Sequence, residues 1–166
     1  MLGTAPAPES VAVLTAQWAL ETDTGRAMPG NNFGGIKAAA GAAGASFHTV
    51  EGHGAGRREV TARFRVYGTP YAGAEDYVRL LASRYPAALA AAHAGNVSGF
   101  AQALAQGGYF TADPHAYARG LEAHFRALLG GPVEASASPP ARLDLAVNEG
   151  AIAGLLRALS RESESA

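Results

Sequence analysis

The chain has no cysteine, which excludes disulfide stapling, thiolate catalysis and cysteine-ligated zinc. It also lacks any apolar run of the roughly 20 residues needed to cross a bilayer. Lysine is nearly absent: Lys37 is the only one among 13 basic residues. Against 14 acidic residues these leave a net charge of -1, so no basic field argues for nucleic acid or an anionic membrane surface. The preference for arginine, together with abundant alanine, reads as compositional bias. The N-terminus MLGTAPAPES has neither a basic n-region nor a hydrophobic h-region, so no secretory signal is visible. His48, His53, His93, His115 and His124 form no HExxH or comparable ligand spacing, and GAAGAS lacks a following GK[ST]. Neither a metal, a nucleotide nor another cofactor is implied.

What is present is a chain of 166 residues, 48% apolar, enough for one domain with a real core. Residues 1–9 read as a Pro/Ala leader, with Ser10 as N-cap of a first helix over SVAVLTAQWALE. Residues 29–45 are rich in glycine and other small residues, which suits tight turns and close backbone approach. SFHTVE (46–51) and REVTARFRVY (58–67) alternate with period two on either side of a glycine turn, the pattern of a β-hairpin. Val60, Ala62, Phe64 and Val66 form its apolar face. Arg63, Arg65 and Tyr67, on the polar face, are either ordinary solvated groups or contacts for substrate carboxylates.

Helix periodicity then takes over. Tyr77, Leu80, Leu81 and Tyr85 share a face ended by Pro86, and further helices are expected near 87–94, 97–106 and 114–129. Residues 131–142 read as a small-residue linker. A last helix over 143–160, before a polar tail, either packs back on the domain or binds a partner, and docking is the expected outcome. The fold class is α+β: a mainly helical body over 10–130 with one small hairpin lobe, and a cleft between them.

Glu21 is the most informative residue. It ends the apolar helix and is followed at once by Thr22-Asp23-Thr24-Gly25. Desolvation and the negative end of the helix dipole both favour the protonated carboxyl there, as a general acid requires. Leu14, Gln17, Trp18 and Glu21 share a helix face, with Trp18 expected in the core. Glu51, where the hairpin turn begins, gives a second carboxyl. Two carboxyls across a cleft are what glycosidic hydrolysis uses, although two glutamates alone have little specificity. His48 and His53 straddle Glu51 and either tune it or belong to a solvated surface.

The blocks AQWALETDTG, NNFGGIK, TVEGHG, ARFRVYGTPYAGAEDYVRLL and QALAQGGYFTADPHAYARGL together resemble the peptidoglycan-hydrolysing N-acetylglucosaminidases of glycoside hydrolase family 73. The resemblance spans roughly residues 11–129. It implies a lysozyme-like fold with the hairpin bordering the catalytic cleft, and cleavage of the β-1,4 bond of the peptidoglycan glycan strand. Under it Glu21 falls on the family's catalytic acid and Glu51 on its second glutamate, as base or electrostatic stabiliser. Tyr109 falls on the tyrosine lining the cleft, and Asn32, Phe33 and Gly34 fall on the loop that supports the acid and borders the groove. With Tyr67 these complete the substrate-binding candidates. The stretch after Glu21 departs from the family, which usually carries an aromatic there. Alternatives are a lytic transglycosylase or muramidase on the same fold, or a non-hydrolytic wall-binding assembly protein. The implied place of action is the cell wall, periplasmic or extracellular, in a flagellar, phage or secretion setting.

Overall fold

The computed structural model describes residues 7–51, 58–129 and 154–161, excepting the side chains of 49–51 and 58. Helix α1 (Pro8–Glu21) is the axis of the molecule. Every residue from Ala12 to Ala19 is buried; eight consecutive buried residues cover more than two turns, so all faces are covered. Its start corrects the expected cap. Pro8 opens the helix, Ala7 is the N-cap residue, and Ser10 lies in the first turn, buried, with its hydroxyl 2.9 Å from Nδ1 of His93.

After it in the chain come α2 (Pro70–Arg84), α3 (Pro86–His93), α4 (Val97–Gln106) and α5 (Pro114–Leu128). Thr69, Asn96 and Asp113 cap α2, α4 and α5 with side-chain oxygens that accept backbone N–H groups, satisfying donors that a helix start leaves free. Pro86 ends α2 and opens α3 in one step. Helices α3 and α5 pack on α1, and α4 packs between α3 and α5. Tyr77, Leu81, Phe100, Leu104 and Leu121 fill the space between them.

Strands β1 (Ala45–Glu51) and β2 (Arg58–Phe64) form an antiparallel hairpin in register Ala45↔Phe64 through Glu51↔Arg58. The turn GHGAG lies outside the described residues. Beyond Phe64 the expected alternation reverses. Val66 is 41% exposed, while Arg65 and Tyr67 turn inward. The cause is a change of backbone partner: past β1's end the chain pairs with the loop before it, Arg65 N–H donating to Ile36 O (2.9 Å) and Tyr67 N–H to Gly30 O (2.8 Å).

A final helix, α6 over 154–161, packs on the domain. Leu155 and Leu159, one turn apart, are fully buried in the shared core, and Arg161 donates to Glu75 of α2 at 3.1 Å. Residues 143–153 of the expected last helix lie outside the described residues. Because Leu159 is buried and Leu156 is 39% exposed, Leu159→Ala is expected to lower unfolding free energy by about 3 kcal/mol. Leu156→Ala is expected to change it by less than about 0.5 kcal/mol. Urea titration of both variants checks this.

Candidate active site

Glu21 is the last residue of α1, where the buried axis meets solvent. Thr22 closes the helix by two bonds to Trp18 O, from its N–H (3.0 Å) and its hydroxyl (2.6 Å). The next three residues turn through left-handed backbone, with φ of 50° at Asp23, 57° at Thr24 and 89° at Gly25. Non-glycine residues in that region carry strain. Here it is held by Thr24 N–H on Ala19 O and by an Arg26–Asp23 ion pair at 2.7 Å. The turn sends the chain sharply away, so Glu21 faces the groove.

The carboxyl is open to the groove but crowded by protein on its other sides. That crowding pushes its pKa above the ordinary value, and a hydrogen bond from Tyr117 partly opposes the rise. Tyr117, on α5, donates its hydroxyl to Glu21 Oε1 at 2.7 Å, accepts from Gln17 Nε2 at 3.0 Å, and stacks on Phe110 at 4.1 Å. The Tyr77, Tyr109 and Tyr117 phenols are all held well above the usual range, by burial first and by the nearby Glu21 charge among the lesser causes. The polar wall around the acid is thus made of neutral phenols. Trp18, by contrast, is a core residue: 2% exposed, stacked on Phe33, with its indole N–H on Met28 Sδ.

The loop from Pro29 to Lys37 forms the groove's near wall, and Asn32 clasps it. Its Oδ1 accepts Ile36 N–H (2.8 Å), and its Nδ2 donates to Ile36 O (2.9 Å) and Arg65 O (3.1 Å). Gly34 lies under two tyrosines. Tyr109 donates its hydroxyl to Gly34 O at 2.5 Å, and a Cβ on Gly34 would collide with the Tyr77 ring.

A second tie fixes the hairpin to α2. Asp76 accepts from Arg65 Nη1 (2.5 Å), Tyr67 Oη (2.7 Å) and Arg79 Nη1 (3.0 Å). Burial pushes its pKa up, but the Tyr67 and Arg65 hydrogen bonds and the Arg65 and Arg79 charges outweigh it and hold the carboxyl below 3.8.

Between these walls runs an open groove of about 590 Å³, bordered by Glu21, Asn32, Gly34, Tyr109 and, from the hairpin, Phe47, His48 and Phe64. Lys37, Arg65 and Arg84 also line it. Four of the sequence-derived candidates, Glu21, Asn32, Gly34 and Tyr109, therefore meet at one place. Two do not reach the groove lining: Phe33 is 2% exposed in the core between Trp18 and Tyr77, and Tyr67 is turned onto Asp76. Arg65, partly exposed where it lines the groove, is also an ion-pair partner of Asp76. Asn32 borders the groove with an amide committed to the loop. The side chain of Glu51 is outside the described set. Tyr117 was missed as a site residue because its helical spacing with Leu121 and Phe125 reads as core.

A helix-borne carboxyl with a pKa raised above the ordinary value, opening into a groove between a helical body and a β-hairpin, is the arrangement of a lysozyme-like glycoside hydrolase. The chain belongs to the glucosaminidase family, described as mannosyl-glycoprotein endo-beta-N-acetylglucosaminidase, which matches residues 8–129. Among solved structures it is similar to a peptidoglycan hydrolase mutant from Sphingomonas sp. A1. The two share 30% identity over 76% of this chain and 93% of that one, with a TM-score of 0.59. A C-terminally truncated glycoside hydrolase domain of Salmonella typhimurium FlgJ matches at 30% identity over 77% of this chain and 87% of that one, with a TM-score of 0.49. A search of curated proteins returned no match. The resemblance read from the sequence and the lysozyme-like α+β fold are both borne out, and the chain is a glycosidase.

The Asp76 tie carries a pH dependence of stability. A carboxyl with a depressed folded pKa stabilises the fold above its unfolded pKa, and that contribution is lost as pH falls through the folded value. Wild-type stability is therefore expected to drop as pH falls below 3.8. Asp76→Asn, measured by urea unfolding at a series of acidic pH values, should be less stable at neutral pH and show a shallower drop.

Proposed function

We propose that this glycosidase cuts the β-1,4-linked glycan strand of peptidoglycan as an endo-β-N-acetylglucosaminidase, with Glu21 as general acid. The observation that carries the reading is the state of Glu21: at a helix end, open to a groove, with protein crowding that keeps its proton on above the ordinary glutamate range. In the reaction Glu21 gives that proton to the bridging oxygen as the bond from the anomeric carbon to that oxygen breaks. Glu51, at the end of β1 four residues beyond the groove-lining Phe47, is assigned the second role: it either activates water or stabilises the oxocarbenium-like transition state. Tyr109, Asn32 and Gly34 shape the wall against which the sugar lies. The sugar-binding role expected for Phe33 and Tyr67 passes to the groove residues Phe47, His48 and Phe64.

The similar hydrolase from Sphingomonas acts, by its description, on peptidoglycan, which supports the same substrate here. Action at the cell wall follows from that substrate. A flagellar, phage or secretion apparatus, each of which must pass the wall, is the setting such cutting would serve.

Digestion of purified sacculi followed by identification of the new reducing ends tests the reading. N-acetylglucosamine ends are expected; muramic ends would make the enzyme a muramidase, and anhydro-muramic ends a lytic transglycosylase. Glu21→Gln, which keeps the shape but has no proton to give, is expected to lower kcat about a thousandfold. A variant of full activity would sink Glu21 as the acid. In wild type the activity should fall as pH rises through the elevated pKa of Glu21, because the acid must be protonated to act.

A further inference from the structure

We propose that Gln17 is a positioning residue for Glu21 acting through Tyr117: its amide N–H occupies the phenol oxygen, so that the phenol's single proton is committed to the carboxyl. The proposal rests on the reading of Glu21 as the acid, and it adds a residue that never touches substrate.

The geometry is specific. Gln17 lies one turn before Glu21 on α1 and is 1% exposed, a position where a polar side chain is costly unless it is used. Its Nε2 donates to Tyr117 Oη at 3.0 Å, and Tyr117 Oη donates to Glu21 Oε1 at 2.7 Å. A phenol carries one proton and accepts through its lone pairs. With an N–H already directed at the oxygen, the proton goes to the carboxyl. The amide's other end, Gln17 Oε1, is buried with no hydrogen-bond partner among the described residues. Turned through half a rotation, the amide would present Oε1 to the phenol, take its proton, and leave Glu21 facing a lone pair. Phe110, stacked on the Tyr117 ring at 4.1 Å, restrains the ring plane, and Gln17 restrains the direction of the hydroxyl.

Gln17 therefore acts on the ionised form of Glu21, which the Tyr117 hydrogen bond favours. Other groups surround the acid: Tyr77 from α2 and Tyr109 from the segment before α5 sense its charge, Asp23 lies two residues on and is paired with Arg26, and His48 on β1, Lys37, Arg65 and Arg84 line the same groove. A change at Gln17 removes none of them.

The test is the carboxyl-carbon NMR titration of Glu21 in wild type, Gln17→Met, Tyr117→Phe and the double variant, alongside the pH profile of kcat/KM on glycan strands. Methionine keeps the length of the side chain without its donor. Gln17→Met should raise the Glu21 midpoint by about half a pH unit and Tyr117→Phe by about one. The double variant should match Tyr117→Phe alone, because Gln17 acts only through the phenol. The high-pH limb of the activity profile should move upward by the same amounts. A Gln17→Met variant whose melting temperature falls while the midpoint stays put, or effects that add in the double variant, would overturn the proposal. The titration needs no turnover: a protein with the predicted midpoints and no glycan cleavage would keep the relay and sink the functional reading, and an active protein with flat midpoints would do the reverse.

Discussion

Everything in this molecule depends on the burial of α1 on all its faces. A helix that is covered from Ala12 to Ala19 has only its ends available to solvent, and the strained turn at Asp23, Thr24 and Gly25 stops the chain from covering the C-terminal end. The carboxyl placed there inherits a rigid mount and partial desolvation from the same packing. Helices α3 and α5 are needed to cover the axis, and α5 also brings Tyr117 to the acid. Core packing and the electrostatics of the site are thus one arrangement.

The groove walls are fixed by polar ties where the apolar core runs out. Asn32 joins its own loop to the strand extension at Arg65, Asp76 joins that extension to α2, and Tyr109 joins the loop to the segment before α5. Each is buried or half-buried, so losing one partner would leave another without compensation. These bonds set the position of the hairpin lobe relative to the end of α1. Among the described residues the lobe has two strands, too few to hold a shape on their own.

Much of this was legible in the sequence. The helices announced themselves through their periodicity and through proline boundaries, as with Pro70 and Pro86, and the hairpin through its alternation; the cap expected at Ser10 was misplaced, because Pro8 already opens α1. The end of α1 stood out because an apolar run stopped at a single carboxyl. What was hidden depended on long-range partners. Arg65 and Tyr67 followed the strand pattern, yet their side chains turn to Asp76, and nothing local signals that the backbone changes partner after Phe64. Phe33 resembled a groove residue and is core, because the loop that carries it folds under Tyr77. Tyr117 carried a perfect core spacing, and only the contact with Glu21, 96 residues earlier, marks it as part of the site.

The most direct measurement is the crystal structure of the Glu21→Gln variant with a bound glycan fragment long enough to span the groove. The scissile oxygen is expected within hydrogen-bond reach of residue 21, about 3 Å, with the sugar rings running between the Gly34 and Tyr109 wall and the Phe47 and Phe64 side of the hairpin. A glycan seated in that groove with its linking oxygens out of reach of residue 21, or bound elsewhere on the domain, would contradict the assignment of Glu21 as the acid.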